Sequence, residues 1–430
     1  MRFKLVMKIK GETIYKTVYE LCARANVVLD ENIYKKLANY KNIDKTNKNL
    51  ILKNAKIAFE TKRPLCQDTG TVTVFIKMSQ NTIIDGDFIE DIINKAIEDS
   101  YRDNFFRKST CIDAFSNRNN NGKNTPAIIH IEFTKKDKFE ILVGIKGGGA
   151  ENTSQIKMFS PTANQKEIFE FIKNVAKDAS KKSCPPLSLG IGIGGTIEKC
   201  AYLAKKALYF GKNLDIEIDD VFETKILTSE AHIASLPVCV NVNCHSARYA
   251  SATIKDDTIT FKENNYDFED PKIDNLGNAI HTSEIEKIKN TKKGEKVLLS
   301  GTIYTARDMA HKKLIEMIEN NEKLPIELKN TIIFYAGPCP KNNEEVTGPI
   351  GPTTSYRMDK FAPVLFKNGA LASIGKGDRG IADGIYFKAL GGIASYMKNC
   401  IISSEIVAFE EFGAEAIYKL EIKDLPLERG

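Results

Sequence analysis

The chain has 430 residues, of which 42% are hydrophobic and 27% are charged, so it can bury a large core and fill two or three domains. Its 62 basic and 56 acidic residues are interspersed, which argues against a nucleic-acid-binding surface. No apolar run approaches about 18 residues, so we expect no membrane span. Nine cysteines without regular spacing indicate a reducing compartment, and we expect a cytoplasmic protein.

Alternating helical and strand patterns predict a mixed α/β fold for the first part of the chain. Apolar residues recur at helical spacing in 11–62 and 88–100, and a strand pattern covers 71–78. Residues 104–125 are polar and rich in Asn, which indicates a long loop. The remaining predicted elements are strands at 127–134 and 139–145 and helices at 166–181 and 200–210.

A change of composition around 255–290 predicts the domain boundary. The turn signals Asp270-Pro271 and Asn275-Leu276-Gly277 favour a linker at about 270–290, and thus domains at 1–280 and 281–430. The second domain has a mixed α/β pattern of its own. Its predicted strands are 296–300, 331–336, 371–374 and 406–409, and its predicted helices are 306–319 and 356–368.

Three distant cysteines lie in motifs that suit a metal. Cys66 precedes Gln67-Asp68-Thr69-Gly70, Cys184 precedes two prolines, and Cys244 lies in Asn243-Cys-His-Ser. Three thiolates can hold a cubane iron–sulfur cluster and leave its fourth iron open as a Lewis acid. Their spacing fits no zinc finger, and spacing alone favours ordinary buried thiols. Cys339, between two prolines, is the other cysteine of interest.

Two glycine-rich runs follow predicted strands or loops. Lys146-Gly147-Gly148-Gly149 can bring backbone amides close to an anion, although a plain turn is the simpler interpretation. The run at 190–196 follows Cys184 by six residues. It lacks the Gly-Lys-Ser/Thr ending of a phosphate-binding loop, so a nucleotide enzyme has little support.

Cationic residues follow Gly-flanked turns in the last third of the chain. Arg307 lies in a hydroxyl-rich segment, Arg357 follows Thr353-Thr354, and Lys376 lies between two glycines. Two arginines and a lysine in this arrangement suit capture of carboxylates, although helix caps with solvated cations remain an alternative. His232, twelve residues before Cys244, is either a core histidine or a proton carrier.

Seven motifs occur in one order and together resemble the iron–sulfur-dependent (class I) fumarase and tartrate dehydratase family. The resemblance spans roughly residues 10–425 and is specific as a set, although each motif alone is weak. The motifs lie at 66–70, 146–149, 184–196, 232–245, 302–311, 351–357 and 375–377. The resemblance implies a hydro-lyase with α-type and β-type domains fused in one chain, the first binding the cluster and the second a swivelling β/β/α domain.

The resemblance also implies a site, a cofactor and partners. It implies a [4Fe-4S] cluster on Cys66, Cys184 and Cys244, and Thr353 as the catalytic base with Asp68 as its partner acid. The enzyme would act on a small dicarboxylate as a homodimer, without nucleic acid or membrane. The implied substrate-binding residues are Gln67, Arg107, Gly147, Gly148, His232, Arg307, Arg357 and Lys376.

Hydration of fumarate to malate is the leading expectation. Dehydration of tartrate or another 2-hydroxy dicarboxylate is the alternative within the enzyme class, because the residues that face carbon 3 are not identifiable from the sequence. A non-catalytic sensor that carries the cluster is a third interpretation. Thr353 and the cationic residues argue against it, since sensing needs neither a base nor a carboxylate clamp.

Overall fold

Three large β-sheets and a two-stranded sheet organise the described part of the chain, in a computed structural model that describes residues 6–266, 268, 270–379 and 384–430. The helices are α1 (Gly11–Val27), α2 (Glu31–Asn39), α3 (Lys45–Thr61), α4 (Ile89–Asp103), α5 (Gly148–Glu151), α6 (Gln165–Lys182), α7 (Ile197–Phe210), α8 (Ile285–Lys289), α9 (Asp308–Glu319), α10 (Ala362–Lys367) and α11 (Ala394–Lys398). None of these helices is long and apolar enough to cross a membrane.

The strands are numbered in chain order. In the first half they are β1 (Met7–Lys10), β2 (Thr71–Ser79), β3 (Thr82–Asp85), β4 (Ile128–Thr134), β5 (Phe139–Lys146), β6 (Gln155–Phe159), β7 (Leu187–Ile193), β8 (Lys212–Asn213) and β9 (Val221–Thr228). In the second half they are β10 (Leu236–Asn243), β11 (Arg248–Lys255), β12 (Thr258–Phe261), β13 (Asn278–His281), β14 (Lys296–Thr305), β15 (Ile332–Phe334), β16 (Ala372–Gly375), β17 (Ile385–Lys388), β18 (Ile401–Ala408) and β19 (Ile417–Arg429).

The first large sheet has the order β12-β11-β5-β2-β4 and is covered by α1 and α4. Both helices place apolar side chains every three or four residues, so each buries one face against the sheet. Ile14 and Val18 of α1 and Ile97 of α4 are fully buried with Val74 of β2 and Val143 of β5. This core fixes β2, β5 and β11, and each of these strands begins or ends at a loop of the candidate site.

The second sheet has the order β6-β10-β7-β9-β8 and packs against α6 and α7. The glycine run after Cys184 contributes to this packing. A Cβ atom at Gly190 or Gly192 of β7 would overlap the backbone of α7. Glycine therefore lets the helix approach the strand, which gives the run at 190–192 a structural role.

The third sheet has the order β13-β14-β15-β16-β17-β19-β18, and β14 also pairs with β19. The pairings among β14, β15, β16, β17 and β19 therefore form a closed ring. Leu50, Ile51 and Ala55 of α3 share a buried core with Val297 and Phe334 of this sheet. The N-terminal helices thus pack directly on the C-terminal sheet, and the two parts of the chain are joined by apolar contacts.

The mixed α/β architecture agrees with the prediction, and most of the predicted helices and strands are present. The structure forms β13 and α8 within the predicted linker at 270–290, and these elements bury Ile280 and Ile288. The predicted division at 280/281 falls inside β13, which pairs with β14. The predicted helix at 356–368 is divided into a 3-10 turn, Ser355–Met358, and α10.

Candidate active site

Cys66 lies in the loop between α3 and β2, which contacts both parts of the chain. The Tyr101 hydroxyl donates to Thr69 O at 2.5 Å from below the loop. On the other side, the Gln67 amide Nε2 donates to Pro352 O at 3.0 Å, and Ala394 N donates to Leu65 O at 3.2 Å. Residues far away in sequence therefore hold the loop in place, and the Cys66 thiol is buried within it.

Cys184 follows α6 and precedes β7, and its thiol meets the C-terminal part of the chain. The Lys376 Nζ lies 3.3 Å from its Sγ. Gly391 lies against the same sulfur, where any Cβ atom would overlap it. Only glycine fits this contact, so the segment around Gly391 closes over Cys184.

Cys244 begins the turn between β10 and β11. Its Sγ lies 3.0 Å from the Ser246 hydroxyl, and Ala247 N donates to Cys244 O at 3.1 Å. The neighbouring His245 is buried, and its Nε2 lies 2.9 Å from Gly391 O. Cys184 and the Cys244 turn therefore both meet the Gly391 segment.

The three thiols share one electrostatic environment. Burial is the main cause that raises the pKa of Cys66 to about 12; Arg248 opposes the rise, and Asp68, Cys244 and Cys184 contribute to it. All three are free cysteines. No group of three or more His, Cys, Asp or Glu side chains in the described ranges lies close enough to hold one metal ion. The three cysteines are free thiols, the ligand type by which proteins hold iron–sulfur clusters.

Positive charge surrounds these thiols. Burial alone would lower the pKa of Lys376, but the thiols of Cys184, Cys66 and Cys244 together raise it above its ordinary value. The amine is therefore an ammonium group that faces sulfur. Cations close to cysteine favour thiolates, the form that binds metal.

The carboxylate of Asp68, two residues after Cys66, brings a negative charge to the site. Its Oδ2 accepts from Gly148 N at 3.0 Å, and its Oδ1 lies 3.2 Å from Arg107 Nη2. Burial would raise the pKa of Asp68, but Arg107, Arg248, Lys376 and Arg307 lower it below its ordinary value. Asp68 is therefore an ionised carboxylate. Gly147 is a neighbour too, since a Cβ atom there would lie 2.8 Å from Asp68 Oδ2.

Arg307 and Arg357 lie at the start of α9 and in the 3-10 turn. Arg307 Nη2 lies 3.1 Å from Glu415, and its buried Nε has no hydrogen-bond partner within the described residues. Burial lowers the pKa of Arg307 to about 10, with Arg107 and Arg357 acting in the same direction. The guanidinium groups of Arg107, Arg307 and Arg357 are thus close together, and they can donate hydrogen bonds to an anionic ligand.

Thr353 lies between β15 and the 3-10 turn, and it is buried. Its backbone N donates to Tyr335 O at 2.7 Å, and the Ser355 hydroxyl donates to its O at 3.0 Å. Arg357 Nη2 lies 3.5 Å from the Thr353 hydroxyl. The same Ser355 hydroxyl accepts from Lys376 N at 2.8 Å, so Thr353 and Lys376 are held by one side chain.

The structure therefore brings most of the predicted site residues into one region between the two parts of the chain. His232 is the exception. It lies on the exposed loop between β9 and β10, and its Nδ1 accepts from Ala234 N at 3.1 Å. Sequence reasoning assigned no role to Arg248, Asp308 or Glu415. Arg248 and Asp308 lie within the segments around Cys244 and Arg307, which was the available signal, whereas Glu415 lies in no motif.

Comparisons with known proteins agree with this arrangement. A family model described as fumarate hydratase (Fumerase) matches residues 15–220, and a model described as fumarase C-terminus matches 251–428. The chain is 29% identical to "Fumarate hydratase 2" of Leishmania major, across 87% of this chain and 76% of that protein. It is 28% identical to "Fumarate hydratase class I, aerobic" of Escherichia coli (strain K12), across 87% and 79%.

A shorter relative matches about half of the chain. This is "Putative L(+)-tartrate dehydratase subunit alpha" of Methanocaldococcus jannaschii, which is 34% identical across 56% of this chain and 98% of that protein. The first family model covers Cys66 and Cys184, whereas Cys244 lies between the two matched regions. The chain therefore belongs to the class I fumarate hydratase family, whose members are hydro-lyases.

Proposed function

We propose that the chain catalyses the reversible hydration of fumarate to malate, with a [4Fe-4S] cluster bound by Cys66, Cys184 and Cys244. One observation carries the proposal. The loops of the three cysteines lie close to Thr353 and to the three arginines of the site, between the two parts of the chain; these arginines are Arg107, Arg307 and Arg357. Such a cluster supplies a Lewis acid at its open iron.

The cationic side chains suit a dianionic substrate. Arg307 has an unpartnered buried Nε, and Arg107 and Arg357 lie near it. These groups would bind the carboxylate distant from the cluster and stabilise the negative charge that develops during proton transfer. Gln67, Gly147 and Gly148 lie beside Asp68 and would orient the other end of the substrate.

Asp68 and Thr353 suit the two proton transfers of hydration. Asp68 is ionised, so its carboxylate would accept the proton of the attacking water. The Thr353 hydroxyl would donate its proton to the neighbouring carbon. Arg357 near its Oγ1 would stabilise the alkoxide that remains. In the reverse direction Thr353 acts as the base and Asp68 as the acid.

Tartrate dehydration is the second candidate, favoured by the 34% identity to the tartrate dehydratase subunit. Malate and tartrate are both 2-hydroxy dicarboxylates, so a comparison of their turnover separates the two reactions. Anaerobically purified protein should turn over fumarate and malate with a higher kcat/KM than L-tartrate. Turnover of tartrate alone would assign the chain to the second reaction.

We further propose a cytoplasmic homodimer. The dispersed cysteines support a reducing compartment, and the family resemblance supports the dimer. Sedimentation of the purified protein should give twice the mass of the 48.0 kDa chain, and a monomer would contradict the proposal.

A further inference from the structure

Arg248 is a buried cation that the proposed proton transfers do not use. It is the first residue of β11 and is 2% exposed. Its Nη1 donates to Asn26 Oδ1 at 3.2 Å, and it forms no ion pair with a carboxylate within the described part of the chain. A buried guanidinium without an anionic partner is costly, so its charge requires another source of compensation.

Arg248 lies beside the loops that carry Cys66 and Cys244. Asn26, which accepts from Arg248, also accepts from Leu65 N at 3.0 Å through its backbone O, and Arg248 directly follows the turn that begins at Cys244. Burial opposes the charged form of Arg248, but Cys66, Cys244 and Asp68 favour it strongly enough that the pKa of Arg248 rises. Of the charged groups that act on Cys66, Arg248 has the largest effect. Arg248 therefore supplies positive charge to the loops that carry Cys66 and Cys244, while Asn26 of α1 holds its side chain.

Lys376 faces the same thiols from the C-terminal part of the chain. The two cations arrive on different elements, β11 and the turn after β16. Asn26 of α1 holds Arg248, whereas Ser355 accepts from the backbone of Lys376. The cysteine loops are thus flanked by positive charge from both parts of the chain, and only Lys376 has a role in substrate binding.

We propose that Arg248 is a positioning residue that compensates the negative charge of the cluster and its thiolates and raises the reduction potential of the cluster. This inference rests on the proposed function, because it requires the cluster. One-electron reduction adds a negative charge to the cluster. A fixed positive charge in a buried site stabilises the reduced form more than the oxidised one.

The test is a redox titration of the full-length, cluster-loaded protein with dithionite, monitored by electron paramagnetic resonance. Arg248→Gln should shift the midpoint potential to more negative values. Arg248→Lys, which keeps the charge, should remain close to the wild type. Asn26→Ala is the matched control, since it removes the hydrogen bond to Arg248 and keeps the charge. Thermal melting of each variant shows whether it is folded.

The outcomes separate this inference from the proposed function. Wild-type protein without iron and sulfide would overturn both. A loaded, active wild type with the same midpoint potential as Arg248→Gln would overturn only the role of Arg248. If Arg248→Gln binds no cluster, the iron content of Arg248→Lys tests the role of the charge instead. A full complement of iron in Arg248→Lys supports charge compensation by Arg248, and an equal loss of iron in both variants overturns it.

Discussion

The Lys376 ammonium lies 3.3 Å from the Cys184 sulfur, although the two residues are 192 positions apart in sequence. The contact joins the loop after α6 to the turn after β16, and Gly391 closes over the same sulfur. The cysteine motifs and the cationic motifs are therefore parts of one site. The following predictions test the separate groups within it.

Replacement of any one of Cys66, Cys184 and Cys244 by Ser should remove most of the iron. Each thiolate would supply one of three protein bonds to the cluster, and a hydroxyl is a much poorer ligand for iron. Iron and sulfide per chain, measured after anaerobic purification, check this. Cys111→Ser is the control, because Cys111 is only partly buried and lies in the 104–125 loop. Full iron in any of the three variants would remove that residue from the ligand set.

Thr353→Ala should lower kcat by about 10² to 10⁴, the usual contribution of a group that transfers a proton. The iron content and the visible absorbance should not change, because Thr353 is not a cluster ligand in this account. Thr353→Ser keeps the hydroxyl and should retain most of the activity. Unchanged turnover of the alanine variant would exclude Thr353 from proton transfer.

Asp308 positions Arg357, whose Nε and Nη2 donate to the two Asp308 oxygens at 2.9 and 2.7 Å. Asp308→Asn removes the charge and one acceptor, so Arg357 should lose its fixed orientation toward Thr353. We expect kcat/KM for fumarate to fall about ten-fold, equivalent to about 1.4 kcal/mol. Glu316→Gln alters an exposed ion pair on the same helix and is the control. Equal kinetics in the two variants would argue against the positioning role.

Arg307→Gln should raise KM for fumarate by about ten-fold or more. A hydrogen bond between a charged group and a carboxylate contributes about 1.5–3 kcal/mol, and glutamine cannot replace the guanidinium. Initial rates over a wide range of fumarate concentration measure this. Arg118→Gln changes an exposed arginine in the 104–125 loop and should leave KM unchanged. A normal KM in the Arg307 variant would remove Arg307 from the carboxylate site.

His311 should make the stability of the protein depend on pH. Burial lowers the pKa of His311 from its ordinary value of 6.5 to about 4. Between these two values the unfolded chain binds more protons than the folded one, so stability is lost as pH falls from about 6.5 toward 4. At pH 5 the loss is on the order of 2 kcal/mol.

His311→Phe should reduce this dependence, because the ring position between Tyr335 and Phe361 accepts an aromatic side chain. Unfolding midpoints at pH 7 and pH 5 measure the effect. His281→Gln removes an exposed histidine and is the control. A drop in midpoint between the two pH values that is as large in His311→Phe as in the wild type would contradict the assignment.

The sequence predicted the long amphipathic helices and strands. It did not predict elements whose formation depends on tertiary contacts. The helix predicted at 356–368 is interrupted because Pro363 lacks the N–H that a helix interior requires, and it is accepted only in the first turn of α10. The segment at 270–290 has too few apolar residues to show a period. One buried residue each, Ile280 and Ile288, is enough to fix β13 and α8.

The site was predictable as a set of motifs but not as a geometry. Motif order alone gave the three cysteines, the cationic residues and Thr353. Arg248 was missed because its role depends on the direction of its side chain from β11 toward α1, which no spacing reveals. His232 belongs to the motif at 232–245 and was expected to bind substrate, yet the structure places it on an exposed loop.

The proposed function depends on three remote thiolates that hold a four-iron cluster. The most direct measurement is the iron and acid-labile sulfide content of the full chain after strictly anaerobic purification. We expect about four of each per chain. Zinc in place of iron, or no bound metal, would contradict it.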